Sequence, residues 1–259
     1  MNTLLPIVAF TALGGVASAL AAAVFLLLPQ ARRDRAMPHL VSLATGALLA
    51  TALLALVPHA MSGAGPSKVH GVGVALLVGI ALFFILEKFL LWRHCHTEAV
   101  ESAHAHEGHR HDASGWLVSV GDGLHNFIDG VLIAAAFLTD FHLGLVTTLA
   151  IMAHEIPQEV GNLVVMLNAG FSRSRAFVVN LLASLTAVLG GVAGWFALRE
   201  AIEWLPYALA VAAASLLYVA VADLIPGLHK RTDLRASLAQ VAWIAVGVGL
   251  ITFTESLIH

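Results

Sequence analysis

The stretch WLVSVGDGLHNFIDGVLIAAAFL, Trp116 to Leu138, has the length and apolar character of a bilayer-crossing helix, yet places two carboxylates, an imidazole and an amide near its middle. About 20 apolar residues span a membrane core as a helix. Within this stretch Asp122, His125, Asn126 and Asp129 follow one another at steps of three and four or fall side by side, so they form one polar stripe on an apolar rod. A second stripe follows in HEIPQEVGN, His154 to Asn162, where His154 with Gln158 and Glu155 with Glu159 are each four apart. Two neighbouring helices joined by a turn of three or four residues are expected to face their stripes toward each other.

Outward from this pair, the chain of 259 residues is 59% hydrophobic and 11% charged, with a mean hydropathy of +0.88. Such a composition excludes a water-soluble globular domain. Eight apolar stretches are predicted as transmembrane helices: Leu4 to Leu28, Pro38 to Val57, Gly71 to Trp92, Trp116 to Leu138, Leu143 to Leu167, Arg175 to Leu198, Tyr207 to Ile225 and Ser237 to Ile258. The first lacks a preceding basic segment and is expected to be retained. Little chain remains for a soluble catalytic domain. The formal charge of -3 gives no basic field for nucleic acid, and the single Cys95 forms neither an intramolecular disulfide nor a thiolate zinc site.

Lysine and arginine fix the expected orientation. Arg32, Arg33, Arg35, Arg93, Arg110, Arg173, Arg175, Lys230, Arg231 and Arg235 fall in one set of connections, whereas the opposite set holds only Lys68 and Arg199. The positive-inside rule then puts both termini outside and the connection between spans 3 and 4 in the cytoplasm. That connection, 94–114, is polar, low in complexity and expected to be unstructured; it carries His94, His96, His104, His106, His109 and His111 out of 14 histidines. Its His-x-His spacing suits loose metal capture or sensing, weakening as imidazoles protonate below about pH 6.5. Spans 4 and 5 hold most of the intramembrane polar residues and leave three apolar spans on each side. Triplets of odd number run in opposite senses, as inverted repeats do.

Energetics give the stripes their meaning. An ionisable side chain at a span centre costs about 2.5–3.5 kcal/mol on insertion scales, so Asp122, Asp129, Glu155 and Glu159 unpaired would cost roughly 10 kcal/mol together. Neither span contains Lys or Arg. A bound cation is the natural counter-charge, and carboxylate, imidazole and amide together suit a first-row divalent ion. Pro157 removes an amide N–H and frees the Ala153 carbonyl, predicting a kink beside His154 and Glu155. Gly130 and Gly161 are expected to let the two helices approach closely.

The run His125-Asn126-Phe127-Ile128-Asp129-Gly130, followed by His154-Glu155-Ile156-Pro157-Gln158-Glu159, closely resembles the paired signatures HNFxDG and HExPHE of the ZIP (Zrt-, Irt-like) metal transporters. The resemblance extends to the eight spans, to Phe84-Ile85-Leu86-Glu87-Lys88 closing span 3 and to the His-rich connection. It implies one all-α membrane domain over residues 1–259, with eight transmembrane helices in a 3+2+3 inverted-repeat arrangement. It also implies a binuclear metal site in mid-membrane and movement of zinc, or of Fe, Mn or Cd, into the cytoplasm across a plasma or inner membrane. Carried over by position, His125, Asp129, His154 and Gln158 would form the primary site, and Asn126 with Glu155 the second. Gln158 stands where the family has histidine, and Asn162 where an Asp often follows; the first change loosens the primary site.

Asp122 is expected one turn toward the cytoplasm as an exit or relay ligand, and Glu159 either as a ligand or directed at a neighbouring helix. His59 and His70 lie at the outer ends of spans 2 and 3, Asp223 and His229 at the inner end of span 7, and all are lesser candidates for entrance and exit. The expected partners are divalent ions, as substrate rather than catalytic cofactor, and the lipid bilayer; a homodimer is permitted but not required. Two other readings are an intramembrane metal-dependent hydrolase and a non-transporting metal sensor. The first lacks the His-Glu-x-x-His face of a zincin, because the fourth following residue is Gln158.

Overall fold

The computed structural model describes the backbone of residues 3–101, 107–230 and 233–256, and the side chains within it apart from 89–101, 107–114 and 255. Among the described residues there are eight helical rods and no strand. They are α1 (Leu4–Leu26), α2 (Gln30–Ala64), α3 (Val69–Glu101), α4 (Glu107–Thr139), α5 (Phe141–Asn168), α6 (Arg173–Leu198), α7 (Ile202–Leu228) and α8 (Leu234–Ser256). Seven rods contain stretches long and apolar enough to cross a membrane. The remaining rod, α5, has the length, but its polar stripe dilutes its apolar character. The chain is thus an all-helical, multi-pass membrane protein.

Helix ends differ from the apolar stretches because hydropathy marks the bilayer and not the end of the backbone ladder. Helix α2 starts eight residues before Pro38. Helical backbone also runs through 94–101 and 107–114, so α3 and α4 extend into the connection expected to lack structure. The side chains of His94, His96, His109 and His111, and all of His104 and His106, lie outside the described residues.

The α4–α5 connection is tighter than the expected turn of three or four residues. Asp140 alone joins them, and its Oδ1 accepts the His142 and Leu143 amides at 2.8 and 3.1 Å, an N-cap for α5. At the far end of α5, Gly170 adopts φ +90°, and the Phe171 and Gly170 amides return to the Met166 and Leu167 carbonyls. This Schellman turn needs glycine at its left-handed position.

Prolines shape the other long helices. A π-helical segment, Thr51–Leu56, precedes Pro58 in α2, and another, Val219–Leu224, precedes Pro226 in α7. The wider turn takes up the amide that proline cannot supply. Helix α5 passes through Pro157 unbroken, whereas α6 is interrupted at Leu185.

Small residues let backbones approach where lipid leaves little hydrophobic drive between helices. The core is alanine-rich, with Ala47 and Ala52 of α2, Ala136 of α4, Ala150 of α5 and Ala213 of α7 all buried. A Cβ on Gly46 would lie 2.1 Å from the Ile244 carbonyl oxygen, so α2 and α8 touch at backbone level. Helix α4 meets α6 the same way, with Gly130 against the Ala187 carbonyl and Gly190 against the Phe127 carbonyl. Gly130 therefore serves the α4–α6 contact and not the expected α4–α5 approach, and Gly161 has nothing within 4 Å of its Cβ position. The apolar windows of α3 and α8 are only 11% buried, against 61% for α2, which leaves Leu77 and Val246 on outward faces.

Candidate metal centre

Helical periodicity brings the two stripes together as the sequence predicts, since α4 and α5 pack along one another from Asp140. His125 and Asp129 sit one turn apart on α4, opposite His154 and Glu155 on α5. One ligand atom from each falls within 4.8 Å of the others. His125 Nε2 lies 3.3 Å from His154 Nε2, 3.6 Å from Asp129 Oδ2 and 3.5 Å from Glu155 Oε1. His154 Nε2 lies 3.4 Å from Asp129 Oδ2 and 3.5 Å from Glu155 Oε1.

These spacings have a simple geometric content. Zinc binds nitrogen and oxygen at about 2.0–2.2 Å in a tetrahedron, whose edges are then roughly 3.3–3.6 Å. Five edges of the quartet match that length. Asp129, His154 and Glu155 are buried, at 1%, 1% and 3% exposure, and none of the four carboxylate oxygens receives a hydrogen bond. Buried carboxylates without donors are costly, and a divalent cation between them and the two imidazoles would remove that cost.

The other expected site residues surround this quartet. Asn126 is buried, and its amide donates to the Asp122 carbonyl oxygen at 3.2 Å. Together with Asp129 and Glu155 it lines a small cavity that also includes Thr11 and Thr148, on the α1 side of the pair. Gln158, expected in the primary site, gives its Nε2 to Asp122 Oδ1 at 3.2 Å and lies beside His125. This amide reaches across from α5 to a carboxylate of α4, and Glu155, expected in the second site, stands at the fourth corner of the quartet. Asp122 is buried beneath this bond, with its Oδ2 unpaired.

Glu159 is fully buried and directed at α1 and α6. It accepts Ser18 Oγ at 3.1 Å, Ser184 Oγ at 2.5 Å and Asn180 Nδ2 at 2.5 Å. Of its two expected placements the structure has the neighbouring-helix one. Ser18, Asn180 and Ser184 escape a search for ionisable stripes because they are neutral; a polar amide within the apolar run of α6 was their only signal.

On the opposite face of the pair, a cavity of about 260 Å³ reaches from His125 and Gln158 to Glu87 of α3 and to Tyr218 and Asp223 of α7. The Tyr218 hydroxyl donates to Glu87. Asp223, a lesser exit candidate by sequence, lines this cavity together with Glu87, which the sequence names only within the segment closing span 3, and Tyr218, which it does not single out. As the lone acid in the apolar part of α3, Glu87 carried the available signal. His59 turns Nδ1 to the Ala55 carbonyl at 2.9 Å and takes no part in the quartet.

Comparison with known proteins gives this chain relatives. Residues 92–255 match the family model described as ZIP Zinc transporter. The chain is 32% identical over 260 residues to zinc transporter ZIP4 of Mus musculus, covering 77% of this chain and 39% of the relative. It is 31% identical to zinc transporter ZIP13 of Pongo abelii, covering 82% and 65%, and 34% identical to the metal cation symporter ZIP14 of Homo sapiens, covering 53% and 28%. It thus spans less than two thirds of the length of these relatives. With the family model covering well over half of its residues, the chain belongs to the ZIP zinc transporter family.

Proposed function

We propose that the protein moves divalent metal ions, zinc foremost, across a plasma or inner membrane into the cytoplasm through the α4–α5 site. The observation that carries this reading is the tetrahedral spacing of His125, Asp129, His154 and Glu155 around carboxylate oxygens that have no other donor. Asn126 and Glu155 supply donors for a second, adjacent ion on the α1 side. Asp122 and Gln158 lie on the way to the 260 Å³ cavity, whose far wall carries Glu87 and Asp223. By the lysine and arginine bias both termini are external and this cavity opens inward. The names of the relatives, zinc transporter and metal cation symporter, support the choice of cargo.

The 3+2+3 inverted repeat is supported by the packing. Exchanging α1 with α6, α2 with α7, α3 with α8 and α4 with α5 turns the α1–α5 contact into α6–α4 and the α2–α8 contact into α7–α3, and all four are extensive. The same exchange pairs the two π segments, each ending two residues before a proline, Pro58 and Pro226. The outward faces of α3 and α8 lie against lipid or against a second copy of the chain.

Proteoliposomes loaded with a fluorescent chelator test the proposal. Wild-type protein gives zinc-dependent influx, and His125→Ala or Glu155→Ala abolishes it while helicity is retained. A wild type without influx refutes transport; unchanged influx in both variants refutes the site.

A further inference from the structure

Glu159 departs from the face that its stripe defines. Four residues advance a helix about 40° beyond a full turn, enough to carry the Glu159 side chain away from the quartet and into the angle between α1 and α6. There it is closed in: a Cβ on Gly15 would lie 2.9 Å from the Ser184 carbonyl oxygen, so α1 and α6 touch beside the carboxylate. Ser18 and Ser184 each have one hydroxyl proton, and each has a carbonyl of its own helix as an alternative acceptor, Gly15 at 3.1 Å and Asn180 at 2.9 Å. Their bonds to Glu159 hold α5 to its neighbours rather than satisfying the serines.

This tie falls where α5 is least constrained by its own backbone. Pro157 has no N–H to give the Ala153 carbonyl, so one ladder bond is missing between the turn that carries His154 and Glu155 and the turn that carries Glu159. Helix α4 is already keyed to α6 by Gly130 and Gly190. Helix α5 is joined to the same α6 through Asn180 and Ser184.

We infer that Glu159 is a positioning residue: with Ser18, Asn180 and Ser184 it sets the depth and rotation of α5 against α6, and so the spacing of His154 and Glu155 from His125 and Asp129. Both ligand-bearing helices are referenced to α6. The inference rests on the reading of the quartet as the ion site, because that reading makes its spacing consequential. Metal ligation tolerates about 0.2 Å, and a helix freed to rotate loses more.

The test uses zinc uptake by proteoliposomes, chelator-competition binding of zinc and the thermal stability of the detergent-solubilised protein. Glu159→Gln preserves the node, since its amide oxygen accepts both serine hydroxyls and its NH2 donates to Asn180 Oδ1 once that amide inverts; its KM is expected within about twofold of wild type. Glu159→Ala, and the double variant Ser18→Ala/Ser184→Ala in case the first fails to fold, are each expected to raise KM and zinc dissociation constant about 10-fold, with maximal rate per folded protein largely kept. Were Glu159 an ion ligand, Glu159→Gln would lose as much as Glu159→Ala and the serine pair would be silent, which overturns the inference. Lower stability with unchanged KM in both disruptive variants overturns it as well. Failure of the wild type to bind or transport zinc marks the failure of the ion-site reading instead.

Discussion

Replacing Gly130 by alanine places a methyl carbon 1.9 Å from the Ala187 carbonyl oxygen and 2.7 Å from the Gly191 amide nitrogen. Ordinary contact begins at 3.4 Å, and because both obstacles are main-chain atoms no rotamer relieves them. Helices α4 and α6 must separate by roughly 1.5 Å, with overpacking strain of about 1–3 kcal/mol. Asp129 is the preceding residue and His125 lies about one and a half turns before Gly130, so the displacement acts on the turns of α4 that carry the quartet. It exceeds the roughly 0.2 Å tolerance of a metal bond several-fold, and zinc affinity is expected to fall about 10- to 100-fold. Chelator-loaded proteoliposomes read the KM for zinc, and competition binding reads the affinity directly. Gly161→Ala is the control, since nothing lies within 4 Å of its Cβ position. A Gly130→Ala protein with KM within about twofold of wild type would refute the claim that the α4–α6 backbone contact sets the quartet.

Gln158→His removes the hydrogen bond to Asp122 and offers an imidazole in place of an amide; tighter zinc binding, slower release and a changed ranking of Zn against Fe, Mn and Cd in competition uptake are expected. An unchanged ranking contradicts a part for Gln158 in selectivity. Deleting residues 97–112 is expected to alter sensitivity to metal while uptake stays measurable, and complete loss of uptake with normal membrane insertion would make the connection essential.

The sequence made the quartet legible for a physical reason: charge within apolar helices is costly, so His125, Asp129, His154 and Glu155 stand out against their surroundings. The same cost identified Glu159 but not its partners, because a helical period states which residues share a face and not which helix lies opposite. Gly130 taught the same lesson, since a small residue announces close packing while its partner, α6 instead of α5, is set by tertiary contacts. The π segments before Pro58 and Pro226 left no mark in hydropathy, because widening a turn changes hydrogen-bond register without changing composition. Gln158 is placed by its position in a motif, yet its amide is a donor as well as an acceptor, and the motif does not tell that its Nε2 reaches the buried carboxylate of Asp122.

The single-residue joint at Asp140 makes the two ligand-bearing helices a pair of tweezers pinned at one end. Asp129 lies about 16 Å and His154 about 21 Å along their arms at 1.5 Å per residue. At that leverage an opening of roughly 3° separates the jaws by about 1 Å, more than coordination survives. On the proposed reading of the quartet, the grip on an ion would therefore be made or released by a small change of angle about the pin, without unwinding any helix.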